Sequence, residues 1–292
     1  MNSSADTCFR RSTNDVLVPT VSVLHREEEY DPAGFDVLRD MQQRHFWYNG
    51  RHRFLLHAVQ SAVRSFSGDR RDSLNALDLG GGCGGWLAYL LGHDPHLFSQ
   101  VALADSSLRA LEYASGVVGP NVERYQIDVC RLPWTAQWDV VFLLDVLEHI
   151  PQDVDVLMQI QKALRPGGYL FVTTPAFNAF WSYNDDLAHH VRRYVRRDFA
   201  RLAAAARLQL IKTRYFMFFL SPLLVMTRLK RPNIAGMTSE QIQAHQLKTH
   251  RVPLRPINSA LSFIFGLETP LGYWLPFPWG TSILGVFRKA CD

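Results

Sequence analysis

The sequence predicts an α/β protein built on a doubly wound, mostly parallel sheet of the Rossmann-like type. Three observations predict it: short apolar runs alternate with helix-patterned segments between residues 76 and 174, a glycine-rich turn follows the first run, and an acidic residue closes several of the later ones. Runs joined by crossover-length helices return in the same direction, which a hairpin cannot do, so the strands lie parallel. A sheet of this kind binds ligands beyond the carboxyl ends of its strands, where the strand order reverses.

The elements follow in order. Residues 1–26 open with MNSSADTCFRRSTND, which is polar and lacks the apolar centre of a signal peptide, and they are read as a flexible lead-in. Residues 27–68 form a helical cap: Phe35, Leu38 and Met41, then Phe54, Leu55, Ala58, Val59 and Val63, recur at helical spacing. Residues 69–214 are the core. Strands are predicted over 76–79, 101–104, 122–127, 140–144, 169–174 and 208–214, with helices over 85–91, 107–115, 153–164 and 198–205, the last capped by Asp198. Residues 281–292 supply an antiparallel last strand. Between them, residues 215–280 read as a hydrophobic insertion covering the active-site end of the sheet. Its longest apolar run, Tyr215 to Met226, is broken by Pro222. A spanning helix needs about 20 apolar residues, so this run is expected to be buried or to touch a membrane surface, not to cross it.

Composition narrows the function. A net charge of +4 over 292 residues is too small for a nucleic-acid partner. The four cysteines, Cys8, Cys83, Cys130 and Cys291, include no C-x-x-C pair, so neither a disulfide framework nor a zinc site is expected, no metal is read among the site residues, and a reducing cytoplasm suits the chain. The chemistry lies instead in NALDLGGGCGGW, residues 75–86. Gly80, Gly82 and Gly85 fit a dinucleotide loop, whereas Gly80, Gly82 and Gly84 fit a loop around S-adenosylmethionine. Acidic strand ends discriminate between them. Asp78, within a turn of backbone amides, can meet the ammonium of an amino-acid tail. Asp105, 25 positions after Gly80, can accept both ribose hydroxyls. Asp128 can face an adenine amino group, for which a dinucleotide fold has less use.

Asp78-Leu-Gly-Gly-Gly-Cys-Gly84, Ala104-Asp105, Ile127-Asp128-Val129, Asp145-Val-Leu-Glu-His149 and Leu164-Arg-Pro-Gly-Gly168 resemble, in order and spacing, the successive motifs of class I S-adenosylmethionine-dependent methyltransferases. The resemblance covers about a third of the chain. It implies S-adenosylmethionine as cofactor, Gly80, Gly82 and Gly84 around its methionine part, Asp78 on the amino group, Asp105 on the ribose, Asp128 and Val129 on the adenine, and Asp145 at the rim beside the sulfonium. Gly81-Gly82-Cys83 departs from the usual Cys-Gly-Thr or Cys-Gly-Ser, which touches a side-chain contact and leaves the backbone cradle intact.

The acceptor side is read from three features. His149 and His190 are candidate catalytic bases, if the methylated atom is a hydroxyl oxygen. Arg192 and Arg193, in His190-Val-Arg-Arg-Tyr194, offer guanidinium forks to an anionic head group. Tyr30, Trp47 and Arg51, the last two in an HFW-x-x-x-R segment, would line an aromatic acceptor pocket. H-x-R-R-Y and HFW-x-x-x-R together resemble a bacterial subgroup of the family acting on lipid-like and isoprenoid acceptors. The expectation is a methyltransferase for a small hydrophobic, anionic-headed acceptor, working near a membrane. A nicotinamide-dependent oxidoreductase and a non-catalytic adenosyl-ligand-binding protein are the alternatives.

Overall fold

Nine strands of one sheet carry the chain in the computed structural model, which describes residues 9–21, 23, 34–66, 73–229 and 251–291. They are β1 (Phe9–Arg11), β2 (Leu17–Pro19), β3 (Asn75–Leu79), β4 (Gln100–Asp105), β5 (Glu123–Gln126), β6 (Trp138–Leu144), β7 (Leu164–Pro175), β8 (Leu208–Phe216) and β9 (Ser282–Lys289). Their order across the sheet is β1-β2-β5-β4-β3-β6-β7-β9-β8. β5, β4, β3, β6 and β7 run parallel, and β9 lies antiparallel between β7 and β8. From β3 the chain steps outward to β4 and β5 and then crosses back to β6, so the order reverses between β3 and β6. That crevice is where a ligand belongs.

Alternation along the central strands sends side chains into two apolar layers, as period two demands. Ala76, Leu103, Phe142 and Phe171 face one layer, with α2 (Phe46–Val63), α3 (Gly85–His93) and α4 (Leu108–Val118). Leu77, Leu79, Val141 and Val172 face the other, with α5 (Asp153–Ala163) and α7 (Arg196–Ala205). The shorter α1 (Gly34–Arg44), α6 (Tyr183–Leu187) and α8 (Ser221–Leu229) and the long α9 (Arg255–Trp274) complete the described helices.

Two expectations are corrected. Residues 1–26 do not all lie outside the fold: β1 pairs with β2, and Leu17 of β2 pairs with Tyr125, extending the β5 edge. Phe9 packs on Tyr125, Val16 is fully buried, and Arg124 donates to the Asn14 carbonyl. Two three-residue strands on an edge need so few apolar residues that a polar composition conceals them. Asp198 does not cap α7 from the N-cap position; it sits three residues in and accepts from the Val195 amide at 2.9 Å, the reciprocal half of a capping box.

Of the insertion expected over residues 215–280, residues 230–250 lie outside the described residues; in the described part, α9 lies along α2 and props the helical cap. Asn258 accepts from the Phe46 amide and donates to the Arg44 carbonyl, joining α9 to the junction of α1 and α2. Tyr273 donates to the Phe54 carbonyl at 2.8 Å. The Phe265 ring occupies the space where a Cβ at residue 50 would stand, so only glycine lets the two helices meet there.

Candidate active site

Behind β3 the chain turns through Gly80–Gly84 into α3. Gly80, Gly82 and Gly84 have φ of +75°, +57° and +80°, in the left-handed region that side chains penalise, and Gly84 is the N-cap of α3. Gly81 and Gly85 are needed for closeness instead. A Cβ on Gly81 would meet the Asp78 carboxylate and Leu103, and one on Gly85 would meet Gln42 of α1. The Gly80 amide donates to the Ala104 carbonyl at 2.7 Å, pinning the loop to the end of β4.

This loop floors a cleft whose walls include Leu38 and Gln42 of α1, Trp47, Tyr48 and Arg51 of α2, and Asp78, Asp105 and Asp145 at strand ends. At the bottom, Asp78 is fully buried and neither carboxylate oxygen has a hydrogen-bond partner. Burial pushes its carboxyl up to about 7; Arg51 opposes the rise and Asp105 adds to it. An ammonium group brought by a ligand would relieve this cost. Asp105 is held differently: its two oxygens accept from the Gly82 and Ser107 amides, each at 2.9 Å. The orphaned Asp78, the amide-oriented Asp105 and the glycine cradle fit an amino-acid tail joined to a ribose, as in S-adenosylmethionine.

Asp128 and Val129 follow β5. Asp128 accepts from the Cys130 amide at 2.9 Å, and Val129 packs against the second apolar layer. Both stand outside the walls of the cleft named above.

Arg51 is buried and works on the protein. One end of its guanidinium donates to Asp145, the other to His52 Nε2 at 3.0 Å, and its carbon lies 5.1 Å from the Trp47 ring and 5.2 Å from the Tyr48 ring. A guanidinium only donates, so His52 accepts and is the neutral tautomer with Nε2 bare. Burial, then the charge of Arg51, hold the His52 ring well below its usual range, which agrees. Asp145 has φ of +56°, a strained conformation for a residue with a side chain. Arg51 fixes it there, together with the Asp145 amide bonded to Thr173. Arg51 is thus a strut between cap and sheet that lines the cleft with its flank. Burial pushes the Tyr48 phenol up to about 12, so it stays a proton donor. Tyr30 lies outside the described residues.

The segment after β7 behaves unlike the open basic rim the sequence suggests. Arg193 is buried and grips Asp185 with two donors, at 2.7 and 3.0 Å, while a third reaches the Ala176 carbonyl. Arg192 donates to Asp153 at 2.6 Å and to the Pro151 carbonyl at 2.7 Å. Their assignment to an anionic head group is corrected: both forks are spent on the protein's own carboxylates and carbonyls. Burial pushes the Asp185 carboxyl up, but hydrogen bonds from His190 and Arg193 prevail and hold it well below the carboxylate range.

His149 ends a 3-10 turn, Leu147–His149, directly behind Asp145, and its ring lies 4.7 Å from that of His190. Both histidines are partly buried, and neither belongs to the cleft walls described above. Between them and the core is Glu148, 1% exposed, whose carboxyl is driven well above its usual range by burial and by Asp145. Glu148, Asp185, His52 and Gln42 carry no role in the sequence reading. Glu148 stands inside the quoted Asp145-Val-Leu-Glu-His149 segment, where burial of the carboxyl was the missing signal.

Residues 48–213 match the family model described as a methyltransferase domain. Among relatives, the ubiquinone biosynthesis O-methyltransferase of Idiomarina loihiensis is 30% identical over 147 residues, covering 48% of this chain and 60% of that protein. The trans-aconitate 2-methyltransferase of an Azoarcus species is 30% identical over 136 residues, 47% of this chain and 50% of that one. The chain therefore spans little more than half the length of these relatives. Among solved structures, phosphoethanolamine N-methyltransferase 2 of Haemonchus contortus, in complex with S-adenosyl-L-methionine, superposes with a TM-score of 0.51 at 17% identity, over 80% of this chain and 52% of that one. This last likeness concerns the fold.

Proposed function

The chain belongs to the methyltransferase-domain family, whose model matches more than half of it, and from that premise we propose that it transfers a methyl group from S-adenosylmethionine to a small hydrophobic acceptor of quinone, isoprenoid or lipid-like build. The observation that carries the reading is Asp78: a fully buried carboxylate with no partner, set inside a glycine loop, is a costly feature that an ammonium-bearing ligand explains. Asp78 would take the amino group and Asp105 the ribose, with the left-handed glycine loop enclosing the methionine part. Asp128 and Val129, at the next strand end, would reach the adenine. When bound, the cofactor supplies a methyl group already activated on a sulfonium.

What remains for the chain is to position an acceptor and exclude water. Trp47 and Tyr48 give the cleft an aromatic wall beside Asp145. The relatives named above act, by their names, in ubiquinone biosynthesis and on trans-aconitate. These support an acceptor with an apolar ring or chain, or one with carboxylates. A carbon acceptor needs no strong base, whereas a hydroxyl acceptor would give its proton to His149, with His190 behind it. The register Gly80-x-Gly82-x-x-Gly85 of a nicotinamide enzyme has only the loop in its favour.

The same reading includes a delivery surface. α8 and α9 leave an apolar face outward: Trp274 is 83% exposed, Leu254 74%, Phe263 67% and Met226 66%. No described helix is long and apolar enough to cross a membrane. Residues 215–280 after Arg214 hold six basic residues, Arg228, Lys230, Arg231, Lys248, Arg251 and Arg255, against Glu240 and Glu268, a balance of +4 that equals that of the whole chain. An apolar, Trp-bearing helix face within a basic segment suits the surface of an anionic bilayer, where a hydrophobic acceptor would be held. The acceptor is identified by incubating the protein with S-adenosylmethionine and candidate quinols, isoprenoids and lipids and searching by mass spectrometry for the gain of one methyl. A product supports the reading; cofactor binding without any product across these classes favours a non-catalytic ligand-binding protein.

A further inference from the structure

We propose that Glu148, His149 and His190 form a binding site for one divalent transition-metal ion at the turn that follows Asp145. Their ligand atoms, one from each residue, lie within 4.8 Å of one another. Zinc-type bonds of about 2.0–2.2 Å set donors roughly 3–4 Å apart around an ion, so modest side-chain rotation closes the set. Cysteine spacing could not reveal this site, because it contains no cysteine.

Three observations carry it. Glu148 is 1% exposed and its Oε2 has no hydrogen-bond partner. The guanidiniums nearest to its charge are engaged elsewhere, Arg51 with Asp145 and Arg193 with Asp185. A buried carboxylate in that position has a place for a cation. Next, His190 Nδ1 stands 3.0 Å from Asp185 Oδ1. Asp185 is locked by both nitrogens of the Arg193 fork and by the Ser182 amide, and as a carboxylate it accepts. The proton of a neutral His190 therefore sits on Nδ1, leaving the Nε2 lone pair to point away from Asp185. This carboxylate–histidine arrangement is the one that orients imidazole ligands toward metals. Finally, the ring of His149 packs edge-on at 4.7 Å to that of His190, bringing two imidazoles and one carboxylate together.

Two imidazoles and a carboxylate favour Zn²⁺, Fe²⁺, Co²⁺ or Mn²⁺ over Mg²⁺ or Ca²⁺, which prefer all-oxygen shells. Three protein ligands leave coordination positions open, and an oxygen of the acceptor is the group to fill them. This role, though not the metal site itself, rests on the proposed methyl transfer. With a cation in place, His149 and His190 serve as ligands, and the cation rather than an imidazole makes a bound hydroxyl acidic.

The test uses the full chain, stripped with a chelator and dialysed. Calorimetric titration with zinc and manganese chlorides, and the visible absorption of added Co²⁺, read binding directly. One ion per chain is expected, weakened at least about tenfold by Glu148→Gln and by His190→Ala and unchanged by His96→Ala, a substitution of an exposed histidine elsewhere. Adenosylhomocysteine binding measured on the same Glu148→Gln sample reports an intact fold and cofactor site independently of the metal. Absence of stoichiometric binding to the wild-type chain, or equal binding by both site variants, overturns the proposal. Metal binding without adenosylhomocysteine binding would leave the metal site standing and remove the methyl-transfer reading instead.

Discussion

Asp78 carries a conflict between stability and function in a single carboxyl group. Its ordinary value is 3.8 and burial lifts it to about 7 in the folded, ligand-free protein. The folded chain thus holds a proton that the unfolded chain releases, and stability without ligand should fall as pH rises from about 4 to about 7, with no contribution below that window. Asp78→Asn removes the titration. Thermal melts of the ligand-free variant should lose this pH slope and show a melting temperature a few degrees above wild type at pH 8; an unchanged slope would place the titration elsewhere. Arg193 is the reverse case. Its removal strands the buried Asp185, so Arg193→Ala should cost about 3–5 kcal/mol in denaturant unfolding, whereas an effect on acceptor KM with unchanged stability would restore it to the substrate. Asp78 and Asp105 were legible in the sequence because strand ends in a parallel sheet announce themselves. Arg51 with Asp145 was not, since the partners are 94 residues apart and nothing local to either shows that they meet.

Helices and strands were legible to different degrees for one reason, the strength of their periodic pattern. The parallel strands are buried on both faces and bounded by turn residues, and the predicted limits of β3 to β6 agree with the structure to within two residues, whereas β7 begins at Leu164, five residues before its predicted start. β1 and β2 escaped, being three residues each and edge-bound. α9 is apolar on much of its circumference, so its sequence reads only as a hydrophobic insertion, with neither the helix nor its buried side visible. The structure chooses the side with Phe265, Glu268, Thr269 and Gly272. Gly50 is the point at which that choice is made. Gly50→Ala would drive a Cβ into the Phe265 ring, and we expect a loss of about 1–3 kcal/mol together with faster proteolysis within α9. Proteolysis unaltered by the substitution would mean that α9 does not depend on this contact.

At the scale of the molecule, the sheet presents a cleft to a cofactor while α8 and α9 present an apolar face, in a stretch whose sequence is basic. Net charge and mean composition could not separate the two surfaces, because the excess of +4 is concentrated in one segment. Vesicles of mixed phosphatidylcholine and phosphatidylglycerol should sediment the chain, and Phe263→Ser with Trp274→Ser should abolish this while leaving cofactor affinity unchanged. Equal sedimentation of the double variant would remove the membrane from the account. The central claim, that the glycine loop with Asp78 holds S-adenosylmethionine, is tested most directly by calorimetric titration of adenosylhomocysteine and of NADH into the wild-type chain and into Asp78→Asn. The account predicts one adenosylhomocysteine site per chain, weakened about 100-fold or more in the variant, equivalent to roughly 2.7 kcal/mol, and no heat from NADH. Tight NADH binding to the folded wild-type chain, or adenosylhomocysteine binding that ignores Asp78→Asn, would contradict it.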